Sequence, residues 1–256
     1  MLKTITATRY VTPLREGGSL PAIIEADDDQ LYVLKFHGAG QGPKALIAEL
    51  LAGEMGRELG LPVPEIVLVE LDPILARSEP DPEIQDLIKA SAGLNLAMAY
   101  LPRAFAFDPR VTRLEPELAS AIVWFDAYIT NVDRTPRNNN ILMWQQQPWL
   151  IDHGAAFYFH HDWNDYLARS RSRFPLIKDH VLLPYANQIK AADAALSARL
   201  TSEVIEQLVA LIPTAWLDAE PSFTNHDEHR AAYSAYLRRR LEAPRPFVEE
   251  AMHARA

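Results

Sequence analysis

Apolar positions follow two rhythms along the chain, a strand-like one in the first hundred residues and a helical one afterwards. Ala22-Ile23-Ile24-Glu25 and Leu31-Tyr32-Val33-Leu34-Lys35-Phe36 are rich in residues that suit a pleated, half-buried surface. Asp27-Asp28-Asp29 between them suits a turn, and Gly17-Gly18-Ser19 before them suits a flexible one. The pattern predicts strands there and again at 66–71 and 95–101. A helix is predicted over 44–59, with Pro43 in its first turn and Gly60, Pro62 and Pro64 ending it. A shorter one follows at 84–92.

Beyond Pro102 the character changes. Leu118, Ile122, Phe125 and Ile129 recur at helical spacing and predict an amphipathic helix over 115–130. The polar segment 131–140 has no helical period. Two short strands follow at 141–144 and 149–151, and helical patterns cover 162–169, 188–200, 202–211 and 227–241. The expectation is an α+β chain with a sheet-rich part at 1–102 and a helical part at 103–256.

Composition narrows the function classes. With 256 residues, 48% of them apolar, the chain can bury the core of one or two compact units. Lys and Arg number 25 against 34 Asp and Glu, a net charge of −9 that argues against non-specific nucleic-acid binding. The absence of cysteine removes disulfide scaffolds, Cys-ligated zinc and thiol nucleophiles. No apolar run reaches the ~18 residues of a membrane span, and the opening MLKTITATRYV is not a secretory signal, so a cytoplasmic protein is expected.

The densest polar cluster is Asn131-Val132-Asp133-Arg134-Thr135-Pro136-Arg137-Asn138-Asn139-Asn140, between a helix and an apolar strand. Asp133 and Asn138 form a D-x-x-x-x-N pattern, and Asp152-His153-Gly154 ends the next apolar strand. Such a set suits phosphoryl transfer: one carboxylate takes the hydroxyl proton, while an amide and a second carboxylate hold Mg²⁺ against nucleotide phosphates. Upstream, Lys35 could neutralise those phosphates. Glu49, which shares a helical arc with Leu46, Leu50 and Gly53, could hold that lysine.

In these residues, with Leu59-Gly60-Leu61-Pro62-Val63-Pro64 and Phe125-Asp126-Ala127, the chain resembles the HipA-like kinases, a bacterial branch of the protein-kinase-like superfamily. Its 131–140 loop is also similar to that of lipid kinases. The resemblance implies a bilobal protein-kinase-like fold, with a small antiparallel-sheet N-lobe (1–102) and a helical C-lobe (103–256). It implies ATP and Mg²⁺ as cofactors, Asp133 as the catalytic aspartate, and Asn138 and Asp152 as metal ligands, with Asn140 in reserve. Lys35 and Glu49 become the nucleotide-anchoring pair, and Gly18 and Ser19 the phosphate cover. The acceptor is a protein Ser/Thr or a small-molecule hydroxyl, and in some HipA-like systems a small DNA-binding antitoxin associates with the kinase. Two departures stand out: His153 replaces the familiar Phe, and the 17–19 turn is not a G-x-G-x-x-G loop.

The competing reading is a catalytically inactive nucleotide- or partner-binding module of the same fold. His153, His160, His161 and Asp162 suit zinc by residue type, but adjacent histidines on an extended segment face opposite ways, which favours structural roles. No G-x-S-x-G elbow supports a serine hydrolase. Asp126, among apolar neighbours, is expected to be hydrogen-bonded and to brace the 131–140 loop. Arg169 to Arg173 reads as a solvated basic stretch ending a helix, with a substrate-facing or regulatory segment as the alternative, and Arg238-Arg239-Arg240 as cations at a helix C-terminus.

Overall fold

A computed structural model describes residues 2–14, 20–40, 42–218 and 220–255. Strands β1 (Thr4–Pro13), β2 (Ala22–Ala26) and β3 (Leu31–Lys35) lead into helix α1 (Pro43–Glu58). Strand β4 (Ile66–Leu71), helix α2 (Pro82–Ala90) and strand β5 (Gly93–Ala99) follow. The five strands close into a barrel in the order β1-β2-β3-β5-β4. The sheet expected to be antiparallel therefore contains one parallel pair, β1 with β4, in which Thr4 to Thr6 face Leu68 to Glu70. The reason is edge pairing: a sheet left open along β1 and β4 would leave two rows of unpaired backbone groups, and closure satisfies both. Two register shifts in β1, around Ala7 to Thr12, supply the curvature. Alternating residues such as Ile5, Ile24, Leu34, Val67, Val69 and Ala97 fill the barrel.

A second core joins α1 to everything after residue 100. Built around it are α3 (Pro116–Ile129), the hairpin β7 (Ile141–Trp144) and β8 (Gln147–Leu150) with the exposed β6 (Phe105–Ala106) along its edge, and α4 (Tyr166–Arg169). Helices α5 (Ile189–Arg199), α6 (Ser202–Val209), α7 (His226–Leu241) and α8 (Pro246–Arg255) complete it. Helix α3 is buried on every face from Ile122 to Ile129, so it is a central helix rather than the amphipathic one expected. The helix expected over 162–169 shrinks to the single turn of α4, and α8 has no counterpart among the expected elements.

Two contacts carry the barrel onto the rest. Gly53 lets α1 lie close on β4, where a Cβ would stand 2.2 Å from Ile66 Cδ1. The Leu150 N–H donates to the Pro62 carbonyl at 2.7 Å, tying the β7–β8 hairpin to the α1–β4 connection. Among the described residues no helix is long and apolar enough to cross a membrane.

Candidate active site

Lys35 ends β3 with its side chain against two carboxylates, 2.5 Å from Glu49 Oε2 and 2.5 Å from Asp152 Oδ1. Glu49 projects from α1 and is fully buried, whereas the Asp152 side chain is 44% exposed. Burial alone would push Lys35 down and Glu49 up. Opposite charge wins: the carboxylates hold the ammonium above its usual value, and Lys35 with the His153 contact holds Glu49 well below the carboxylate range. Asp152 follows β8 in a left-handed conformation, φ 55°, which Asp tolerates better than most residues. His153 is buried against the edge of Phe125, with Nδ1 3.4 Å from Glu49 Oε1.

Asp133 belongs to a second group. Its Oδ2 accepts from Asn138 Nδ2 at 2.8 Å and from Asn140 Nδ2 at 3.3 Å, while its backbone N–H donates to Asn131 Oδ1. Asn139 is used up elsewhere: its amide donates to the Phe107 carbonyl and its oxygen accepts from the Ile141 N–H. The Ile151 N–H donates to the Asn140 carbonyl at 3.0 Å, which sets Asn140 across from the residue before Asp152. Gly18 and Ser19 lie outside the described residues.

The loop is held from below by a buried carboxylate. Asp126, on α3, accepts from Asn131 Nδ2 at 2.9 Å, Arg134 Nε at 2.5 Å and His180 Nε2 at 2.9 Å. The Leu182 N–H donates to His180 Nδ1, so the proton of that ring sits on Nε2. Burial raises Asp126, but the Arg134 charge and these hydrogen bonds outweigh it and hold the carboxyl well below its usual range. Arg134 Nη1 also donates to the Asn140 carbonyl at 2.6 Å, clamping the two ends of the loop.

A sequence model of HipA-like kinases matches residues 8–244. The chain belongs to the HipA-like kinase family. A comparison with curated proteins finds no match. The fold of this HipA-like kinase is similar to that of the Helicobacter pylori proinflammatory kinase CtkA, with a TM-score of 0.60 at 13% identity over 100% of this chain and 99% of that one. It is also similar to the Golgi casein kinase with Mn/ADP bound, with a TM-score of 0.53 at 12% identity over 99% of this chain and 73% of that one. Family membership makes the protein a kinase-like phosphotransferase, and the neighbours share its mixed α+β fold.

Several supports of the HipA-like kinase site were invisible in the sequence. Arg240, one of three cations in the last turn of α7 as expected, is also 1% exposed and donates to the Ala127 and Tyr128 carbonyls at the end of α3. It also reaches the Ser170 and Ser172 carbonyls, so the entry to the 131–140 loop is fixed from α7. Arg171 is likewise engaged, donating to the Arg239, Glu242 and Ala243 carbonyls. His160 and His161 do not face opposite ways, because Tyr158–His161 is a 3₁₀ turn that brings the rings to 4.6 Å edge to face. His160 Nδ1 lies 3.0 Å from the Tyr233 hydroxyl, a buried structural contact. No His, Cys, Asp and Glu cluster among the described residues forms a metal cage.

The Lys35 contacts carry a prediction. Lys35→Met and Glu49→Gln are each expected to lower phosphoryl transfer strongly, and the double variant little further, because groups acting as one unit are non-additive. Turnover of the parent, both single variants and the double variant measures this. Additive losses would show that the two side chains act separately.

Proposed function

We propose that this protein is an ATP- and Mg²⁺-dependent kinase that transfers the γ-phosphoryl group to a hydroxyl, with a protein Ser or Thr as the acceptor class. The observation that carries the reading is Lys35 held between Glu49 and Asp152, with Asp133 on a braced loop whose far end pairs beside Asp152. In this reading 1–102 and 103–256 are two lobes, and the nucleotide lies between them with its adenine against the end of β5. Gly18 and Ser19 are proposed to cover the phosphates. A cytoplasmic location and a small DNA-binding regulator, the latter drawn from the family resemblance, are further proposals.

The residues fit a divalent cation shared with phosphates. Magnesium prefers one or two carboxylates plus phosphate oxygens and water to an all-protein cage. The half-exposed Asp152 carboxylate and an amide supply such a set, with Asn138 proposed from its spacing. The backbone pairing of Asn140 to Ile151 favours Asn140 for the same role. The Golgi casein kinase described with Mn/ADP lends the analogy of a nucleotide with a divalent metal. When bound, the cation would neutralise charge on the transferring phosphates.

The remaining work falls to the chain. Lys35, anchored by Glu49, binds the α- and β-phosphates. Asp133 orients the acceptor hydroxyl and takes its proton on Oδ1, which accepts no hydrogen bond from the described residues, while Oδ2 is held by the two amides. Positioning and charge neutralisation supply most of the rate.

Intact-mass spectrometry after incubation with Mg·ATP and candidate acceptors, combined with ATP-dependent thermal stabilisation, tests the proposal. Phosphoryl transfer is expected in the parent. Asp152→Asn, which removes one charge without changing volume, is expected to abolish transfer and the magnesium-dependent part of the stabilisation. Stabilisation of the parent without transfer to any acceptor would favour the binding-module reading, and unchanged turnover in Asp152→Asn would overturn its assignment.

A further inference from the structure

A cavity of about 410 Å³ opens against the tip of the 131–140 loop, with Pro136 on one side and Arg255, at the end of α8, among its lining residues. That volume lies within the range of ligand pockets, which run from roughly 300 to 1,000 Å³. Its floor is buried, formed by His180 and Val181. Both belong to the loop's support: the Val181 N–H donates to the Arg134 carbonyl at 3.0 Å, and His180 donates to Asp126. Asp126 in turn holds Asn131, which accepts from the Asp133 N–H, so one chain of hydrogen bonds connects the cavity floor to Asp133.

The charges around the opening are uncommitted. Lys178 and Arg255 line it, both exposed, and neither forms an ion pair among the described residues. Their neighbours differ: Arg171 and Arg240 are spent on backbone carbonyls, and Arg173 pairs with Glu250. Asp179 is the one acidic residue in the lining, so two cations outnumber it on a chain whose net charge is −9. Pro136 stands three residues from Asp133, in a turn closed by the Thr135 N–H and the Asn138 carbonyl at 2.9 Å. Three residues span at most ~10 Å, the length of two to three residues of extended peptide.

We propose that this cavity seats a carboxylate side chain of the phosphate acceptor, an acidic residue two or three positions from the acceptor Ser or Thr, held between Lys178 and Arg255. The inference rests on the reading of Asp133 as the base and of a polypeptide as the acceptor. It adds the recognition rule: an acidic chain that would repel acidic peptides elsewhere attracts them beside the reacting hydroxyl.

The test uses two labelled synthetic peptides with one central Ser, bearing Asp or Lys at the second and third positions on either side. Fluorescence anisotropy with Mg·ADP measures binding to the full chain and to a Lys178→Glu/Arg255→Glu variant. The parent is expected to bind the Asp peptide about tenfold more tightly than the Lys peptide, with the difference shrinking at high salt. The variant should lose or reverse that preference. In transfer assays it should raise KM for the Asp peptide while kcat and peptide-free ATP hydrolysis stay near those of the parent. Equal binding of both peptides by the parent, no binding of either, or a preference that survives charge reversal overturns the proposal. Peptide preference without any ATP turnover in the parent would sink the kinase reading and leave the docking site standing, so the two failures are separable.

Discussion

Asp133→Asn is expected to cut phosphoryl transfer by about 10²–10⁴, the usual contribution of a positioned general base, while Mg·ATP affinity stays near that of the parent. The asymmetry of the two carboxylate oxygens explains why. Oδ2 is held by Asn138 and Asn140, so an asparagine at 133 can still offer its carbonyl oxygen to those amides. What disappears is the second oxygen's capacity to take a proton. Asn140→Ala and Asn138→Ala differ in kind from this substitution: removing whichever amide serves the cation raises the magnesium requirement rather than lowering the limiting rate. A titration of ATP affinity and turnover against magnesium for the parent and these variants separates the roles. Loss of ATP binding in Asp133→Asn would make Asp133 a ligand or a structural residue instead of a base. Unchanged turnover would remove it from the chemistry.

Asp126→Ala is expected to destabilise the fold by about 3–5 kcal/mol, because it strands the Arg134 guanidinium, 1% exposed, without its counter-charge. The loss is large beside the 5–15 kcal/mol that typically separates folded from unfolded states. The measurement is the urea midpoint at neutral pH, with Asp108→Ala as a comparison, since Asp108 makes an exposed ion pair with Arg110 and a local bond to its backbone N–H and should shift little. Acid adds a second signature. Asp126 sits below its usual value when folded, so the stability it lends is present above roughly pH 4, the unfolded carboxyl range, and falls away in stronger acid. Burial lowers His180 as well, so its contribution is full above about pH 6.5 and declines as pH falls and the unfolded ring takes up protons. Stability should therefore drop from pH 7 towards pH 5 in the parent, before Asp126 titrates. A midpoint that rises over that interval would contradict the neutral His180 buried against Asp126.

The candidate site divides by the kind of information each residue needs. Lys35, Glu49, Asp133, Asn138 and Asp152 could be named from residue type, order and element, because a charged residue ending an apolar strand or interrupting an apolar helix face, and a D-x-x-x-x-N loop between two apolar elements, are visible locally. Asp126 announced itself the same way, as a carboxylate amid Phe125, Ile122 and Ile129. Its partners did not. Arg134 and His180 lie 8 and 54 residues away, and His180 sits in an irregular stretch with no period to mark its inward face. Arg240 does lie in the basic last turn of its helix, as the sequence indicates, but its reach is not local: its guanidinium meets carbonyls 112 and 113 residues away. The pairing of Ile151 with Asn140, which sets Asn140 across from the residue before Asp152, is likewise something that spacing cannot reveal.

By itself the sequence determined the alternation that makes strands of the first hundred residues, the helical periods that follow, and the polar loop with its one carboxylate and its amides. Those are local properties, set by which faces of an element can be buried and by which residues can end one. Tertiary structure alone decided that β1 and β4 meet in parallel and close the sheet, because that pairing joins segments some sixty residues apart and is rewarded only once the other strands are in place. It also decided that α3 is enclosed on all sides, since its surroundings come from α5, α8 and the short turns at 175–179 and 183–185. And it set the Asp126 cluster beneath the loop, where the cost of burying charge is met only by partners gathered from distant parts of the chain.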